Sequence, residues 1–139
     1  MTDPKLSVVI SDDDPMIRDA LREVLDAEPD FEVVAVARDA DEAIELVERH
    51  GPAVVVLDVR MPGGGGGRAA REIRHRSPET AILALSTFAD RELYREVESA
   101  GVGEHLVKGA SNSDIVAAVR RLGRPGRGDR RGALPRPGT

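Results

Sequence analysis

Five short runs of aliphatic and β-branched residues alternate with amphipathic stretches along this chain. Residues 6–11 (Leu-Ser-Val-Val-Ile-Ser) read as a strand. Pro15 then opens a helix with Asp14 as its N-cap, and Ile17, Leu21, Val24 and Leu25 form its apolar stripe. Residues 32–36 read as a second strand. Asp39 and Glu42 resemble a capping box for a helix striped by Ala43, Ile44 and Val47, which Gly51 and Pro52 stop. Residues 53–57 (Ala-Val-Val-Val-Leu) are apolar without alternation, as in a central parallel strand covered on both faces. A helix over 69–75 follows, then a strand over 81–85. Leu93, Val97 and Ala100 stripe a helix ended by Gly101. A short strand covers 104–107, and Ile115, Val116, Val119 and Leu122 stripe a last helix capped by Ser111 or Ser113.

Five β-then-α units in a chain this short predict an α/β fold: a doubly wound, five-stranded parallel sheet with helices on both faces. The flavodoxin-like strand order 2-1-3-4-5 suits this size. The pattern ends at Leu122, so residues 1–122 are expected to form one domain. Residues 123–139, rich in Gly, Arg and Pro, cannot bury a core and are expected to be a disordered tail.

Composition narrows the classes. At 139 residues, 40% hydrophobic and 32% charged, the chain is a globular protein of ordinary make-up. It has no cysteine, so disulfide frameworks and thiolate metal sites are excluded. No apolar run reaches the ~20 residues of a membrane span, and the N-terminus lacks the basic start and apolar run of a signal peptide, so a cytoplasmic location is expected. The net charge is −5. The tail carries +4 of it (Arg124, Arg127, Arg130, Arg131 and Arg136 against Asp129), which leaves −9 on residues 1–122. An acidic body argues against nucleic-acid binding by the folded part.

In an open α/β sheet the ligand sits beyond the carboxyl ends of the strands, where the strand order reverses. That edge receives Asp12, Asp13 and Asp14 from the first strand, Asp58 from the third, Ser86 and Thr87 from the fourth and Lys108 from the fifth. Singly, each has a plain explanation: an acid after a strand commonly caps a helix, a serine turns the chain, a lysine is a solvated charge. Convergence at one edge favours chemistry. Carboxylates at contact distance repel, and a hard divalent cation relieves them. Mg2+ needs only one or two protein carboxylates, which Asp13 and Asp58 can supply, with Asp12 acting directly or through water. Asp58 could then attack a phosphoryl group and form an acyl phosphate. Mg2+ and Lys108 would neutralise the oxygen charge, and the Ser86 hydroxyl would sense the phosphate.

These residues resemble a known family over about residues 5–122. The segments 10–15 (Ile-Ser-Asp-Asp-Asp-Pro), 55–63 (Val-Val-Leu-Asp-Val-Arg-Met-Pro-Gly), 85–87 (Leu-Ser-Thr) and 106–108 (Leu-Val-Lys) look like the four motifs of the receiver domain of two-component response regulators, the CheY-like family. Asp-Val-Arg-Met-Pro and Leu-Ser-Thr-Phe are similar to the receivers that precede LuxR/NarL-like DNA-binding domains. The resemblance implies Asp58 as phosphoacceptor and Asp12 and Asp13 as the acidic pocket. It implies the Arg60 backbone carbonyl as a third metal ligand, Lys108 as the phosphate-contacting lysine, and Ser86 with His105 as the switch pair. It further implies a histidine kinase as phosphodonor and a downstream protein bound through the face of the fourth and fifth strands, and it leaves room for a homodimer. The domain would turn over only itself, so it is expected to be a switch and not an enzyme.

Three departures stand out. His105 occupies a place where the family usually has Tyr or Phe. Gly109 follows Lys108 where many receivers have proline. Gly63 to Gly67 are five consecutive glycines, which predict a mobile loop and a late start for the next helix. No helix-turn-helix follows residue 122, so the chain is expected to be a stand-alone receiver or a fragment; Tyr94 is its candidate exposed partner contact. Three other readings compete: a pseudo-receiver that binds partners regardless of phosphate, a flavin-binding flavodoxin relative, and a nucleic-acid binder acting through the arginine tail. The 2% aromatic content and the lack of a Ser/Thr-rich phosphate loop after the first strand argue against the second.

Overall fold

A computed structural model describes residues 5–62, 65–86, 95 and 97–124. The strands are β1 (Leu6–Ser11), β2 (Phe31–Ala37), β3 (Val54–Asp58), β4 (Ala81–Ser86) and β5 (Glu104–Val107). The helices that are complete in the described residues are α1 (Pro15–Asp26), α2 (Ala40–His50), α3 (Gly65–Arg76) and α4 (Asn112–Gly123). Arg95 and residues 97–99 are helical as well. All strands are parallel, in the order β2-β1-β3-β4-β5, as the alternation predicts.

Strand residues point alternately to two faces. Val9, Val55, Leu57, Ile82 and Ala84 pack with α2 and α3, through Ile44, Val47, Ala70 and Ile73, and with Val97. Val8, Ile10, Val54, Val56, Leu83 and Leu85 pack with α1 and α4, through Leu21, Leu25, Ile115 and Val119. Burial on both faces explains why β3 reads as an unbroken apolar run: all five of its residues are buried.

The caps follow the sequence with one variation. The Asp14 side chain accepts from the Met16 N–H, and Ser111, not Ser113, caps α4 by accepting from Asp114. Asp39 accepts from the Glu42 N–H at 2.8 Å, but Glu42 reaches the Arg38 N–H and not that of Asp39, so the box closes one residue further back. Gly51 ends α2 in the left-handed conformation, at φ 53.

The start of α3 departs from expectation. The helix begins at Gly65, four residues before the predicted Ala69, and Gly66 and Gly67 are buried within it. Gly66 gives its N–H to the Val59 carbonyl at 2.9 Å, and a Cβ there would lie 2.6 Å from the Val59 Cα. Glycine thus lets the helix touch the backbone just past β3, a gain that offsets its poor helix propensity. For residues 65–67 this replaces the expected mobile loop with a packed first turn. Gly63, Gly64, Thr87, Leu93, Tyr94 and the tail from residue 125 onward lie outside the described residues.

Candidate functional site

The β1–β3 register pairs Val8 with Val54 and Ile10 with Val56. Continued by two residues, the same offset puts Asp12 level with Asp58, on one face. Both leave the sheet at its carboxyl edge. Asp12 holds its place by an N–H bond to the Ala37 carbonyl, 3.1 Å, and Val59 bonds Leu85 at 3.0 Å, so the ladder continues past Asp58 on its β4 side. Asp12 is 0% and Asp58 1% exposed, whereas Asp13 lies at the open rim. One carboxylate oxygen from each of the three can be chosen so that all lie within 4.8 Å of one another.

Lys108 reaches these acids from the far side of the sheet. Its backbone N–H bonds the Ser86 carbonyl at 2.7 Å, one residue beyond β5. Its Nζ lies 3.2 Å from Asp58 Oδ1 and 3.5 Å from Asp12 Oδ2. Gly109 turns the chain immediately afterwards at φ 97, a conformation that proline, locked near −65°, cannot take. The glycine in the family's proline position therefore specifies a different turn.

One ammonium does not balance two buried carboxylates. Burial, then the neighbouring Asp12 charge, pushes the Asp58 carboxyl up to about 6, against the Arg60 N–H bond and Lys108. Burial likewise raises Asp12, although the Asp14 N–H and Lys108 oppose it. Burial pulls Lys108 down, but the charges and hydrogen bonds of Asp58 and Asp12 together outweigh it and hold the ammonium above its usual value.

The oxygens are unevenly used. Asp12 Oδ1 accepts from the Asp14 N–H at 2.9 Å and Asp58 Oδ1 from the Arg60 N–H at 3.2 Å. Asp12 Oδ2 and Asp58 Oδ2 are buried without a hydrogen bond. Asp58 Oδ2, and Asp12 Oδ2 with only its 3.5 Å ion pair to Lys108, lie beside a third acid and make an all-oxygen donor set, which fits Mg2+ and not a soft metal.

Ser86 and His105 also meet. The pairing of Ala84 with His105 and of Ser86 with Val107 brings the Ser86 hydroxyl into hydrogen bond with His105 Nε2. Sequence reasoning named both residues but had no signal for a direct bond. It also passed over Arg18, whose Nη1 bonds the Asp12 carbonyl at 3.0 Å and braces the acidic turn. The only clue was a basic residue in the first turn of the helix that follows the acids. Two surface grooves lie away from this edge: one runs between α1 and α4 past Val24 and Val116, another under the amino ends of the strands past Leu6 and Ala53. No helix among the described residues is long and apolar enough to cross a membrane.

Residues 8–120 match the family described as the response regulator receiver domain. The chain is 34% identical over 122 residues to the transcriptional regulatory protein DegU of Brevibacillus brevis, covering 88% of this chain and 52% of that protein. It is 39% identical over 112 residues to the transcriptional regulatory protein PdtaR of Mycobacterium tuberculosis, covering 81% and 54%. The chain thus spans about half the length of the curated relatives it matches. Among solved structures, the signal receiver domain of a NarL response regulator from Mycobacterium tuberculosis superposes with a TM-score of 0.82 at 30% identity, covering 88% of this chain and 99% of that one.

Proposed function

Because the chain belongs to the response regulator receiver domain family, in the type carried by LuxR/NarL-family regulators, we propose that Asp58 accepts a phosphoryl group from a sensor histidine kinase in a Mg2+-dependent manner and thereby switches partner binding. The observation that carries this reading is Asp58 itself: buried, with one oxygen unbonded, 3.2 Å from Lys108 and clustered with Asp12 and Asp13. An Asp58 oxygen attacks phosphorus; the O–P bond forms as the donor's N–P bond to histidine breaks, and the departing imidazole nitrogen takes a proton from solvent. Asp12, Asp13, Asp58 and the Arg60 carbonyl would hold Mg2+, which when bound supplies positive charge to the phosphoryl oxygens. Lys108 adds a second cation to the same oxygens, and the Ser86 hydroxyl donates to one of them.

Ser86 and His105 then carry the change to the face of β4 and β5, where a downstream protein or a second copy of the chain would bind. The domain is a signalling module that turns over only itself. A cytoplasmic location goes with a kinase-facing role of this kind. The test is mass spectrometry after incubation with acetyl phosphate, with and without Mg2+. Wild type should gain about 80 Da, one phosphoryl group, only with Mg2+, and Asp58→Asn should gain nothing. An adduct on Asp58→Asn would refute the assignment, and no adduct on wild type would favour a phosphate-independent interaction module.

A further inference from the structure

Ser86 is 2% exposed, and His105 Nε2 is the sole hydrogen-bond partner of its hydroxyl among the described residues. A buried hydroxyl seeks an acceptor for its proton, and among the described residues the imidazole nitrogen is the one hydrogen-bonded to it. Burial also lowers the pKa of His105, against the pull of the Glu98 carboxylate, so the ring stays neutral and can accept. The phenyl or phenol ring that the family usually has here offers no ring nitrogen to take that proton.

We propose that His105 is a positioning residue that takes the Ser86 hydroxyl proton and withholds it from the phosphoryl group, so that the Ser86–His105 bond is a latch that must open before Ser86 can turn to phosphorylated Asp58. This rests on the reading of Asp58 as phosphoacceptor and Ser86 as the group that senses it. The latch stabilises the unphosphorylated form by one buried hydrogen bond. Removing the imidazole leaves the Ser86 proton without an acceptor until a phosphoryl oxygen arrives, which favours the phosphorylated arrangement.

The experiment measures binding of beryllofluoride with Mg2+, a stable phosphoryl mimic, by calorimetry on the full chain in four forms: wild type, His105→Phe, Ser86→Ala and the double variant. His105→Phe should tighten binding about 3- to 10-fold, the worth of one net hydrogen bond, and in the Ser86→Ala background the same substitution should change it by less than about twofold. Unchanged or weaker binding by His105→Phe overturns the latch, as does equal tightening without Ser86. Nitrogen NMR of the wild-type ring gives an independent readout that needs no variant. Nε2 should appear as a bare, hydrogen-bonded acceptor, and a protonated Nε2 overturns the proposal. Wild type that binds no beryllofluoride sinks the Asp58 reading and the latch with it; wild-type binding with no His105→Phe gain sinks the latch alone.

Discussion

A carboxylate with 1% of its surface exposed is costly to ionise, and Asp58 also faces Asp12 across one strand gap. Its folded pKa of about 6 lies above the ordinary 3.8, so the folded form holds its proton more tightly than the unfolded form. This group therefore favours folding most below the unfolded value, and that advantage is lost as pH rises through the folded value. Above about pH 6 the ionised Asp58 carboxylate costs on the order of 2–3 kcal/mol, burial contributing most. Asp58→Asn should accordingly raise the thermal midpoint at neutral pH without Mg2+, and the gain should shrink as pH falls towards about 4. Scanning calorimetry across that range checks it; a gain that grows on acidification would contradict the sign. Mg2+ acts on the same cost, so millimolar Mg2+ should stabilise wild type more at about pH 7.5 than at about pH 5, where Asp58 is largely protonated.

At the scale of elements, α3 shows how a helix can begin against its own propensity. Gly65 takes φ 76, and Gly66 sits so close to the Val59 backbone that no side chain fits. Gly66→Ala must shift either α3 or the segment past Asp58, at a cost of about 1–3 kcal/mol in a chemical melt. Because Val59 follows Asp58 directly, the same variant should slow phosphoryl-adduct formation; full stability with full adduct yield would show that the contact is slack. On the other side of the sheet, α4 closes the fold through a charged clamp. Arg120 bonds Asp30 and Glu28, each at 2.9 Å, and lies over the Phe31 ring. The Arg120 guanidinium, bonded directly to Asp30, holds that carboxyl below its ordinary value.

At the scale of the whole molecule, acidic residues 1–122 and the basic tail are expected to be separate in function as well as in composition. Among the described residues, the last side chain to join either core layer is Leu122, in α4. Deletion of residues 125–139 should therefore leave the melting temperature within about 2 °C and the phosphoryl adduct on Asp58 intact. Loss of folding on truncation would show that the tail contributes to the core.

Much of this protein is legible in one dimension because its periodicities are strong. Val54 to Leu57 announce a two-sided central strand, Asp14 and Asp39 announce helix starts, and a parallel sheet of alternating units leaves few topologies to choose from. The acids, the hydroxyl and the lysine could be sent to one edge because a strand end is a position in sequence as well as in space. Proximity across strands is not. Asp12 faces Asp58 only through the β1–β3 register, and Lys108 reaches them only because the Ser86 carbonyl holds its backbone. The early start of α3 depends on a backbone contact with Val59 that propensity cannot register. The same limit applies to Ser86 and His105. The sequence by itself determined which residues stand at the ends of β4 and β5; the pairing of those strands decided that Ser86 and His105 are hydrogen-bonded, because a hydrogen bond is set by distance and direction between chains of atoms far apart along the polymer.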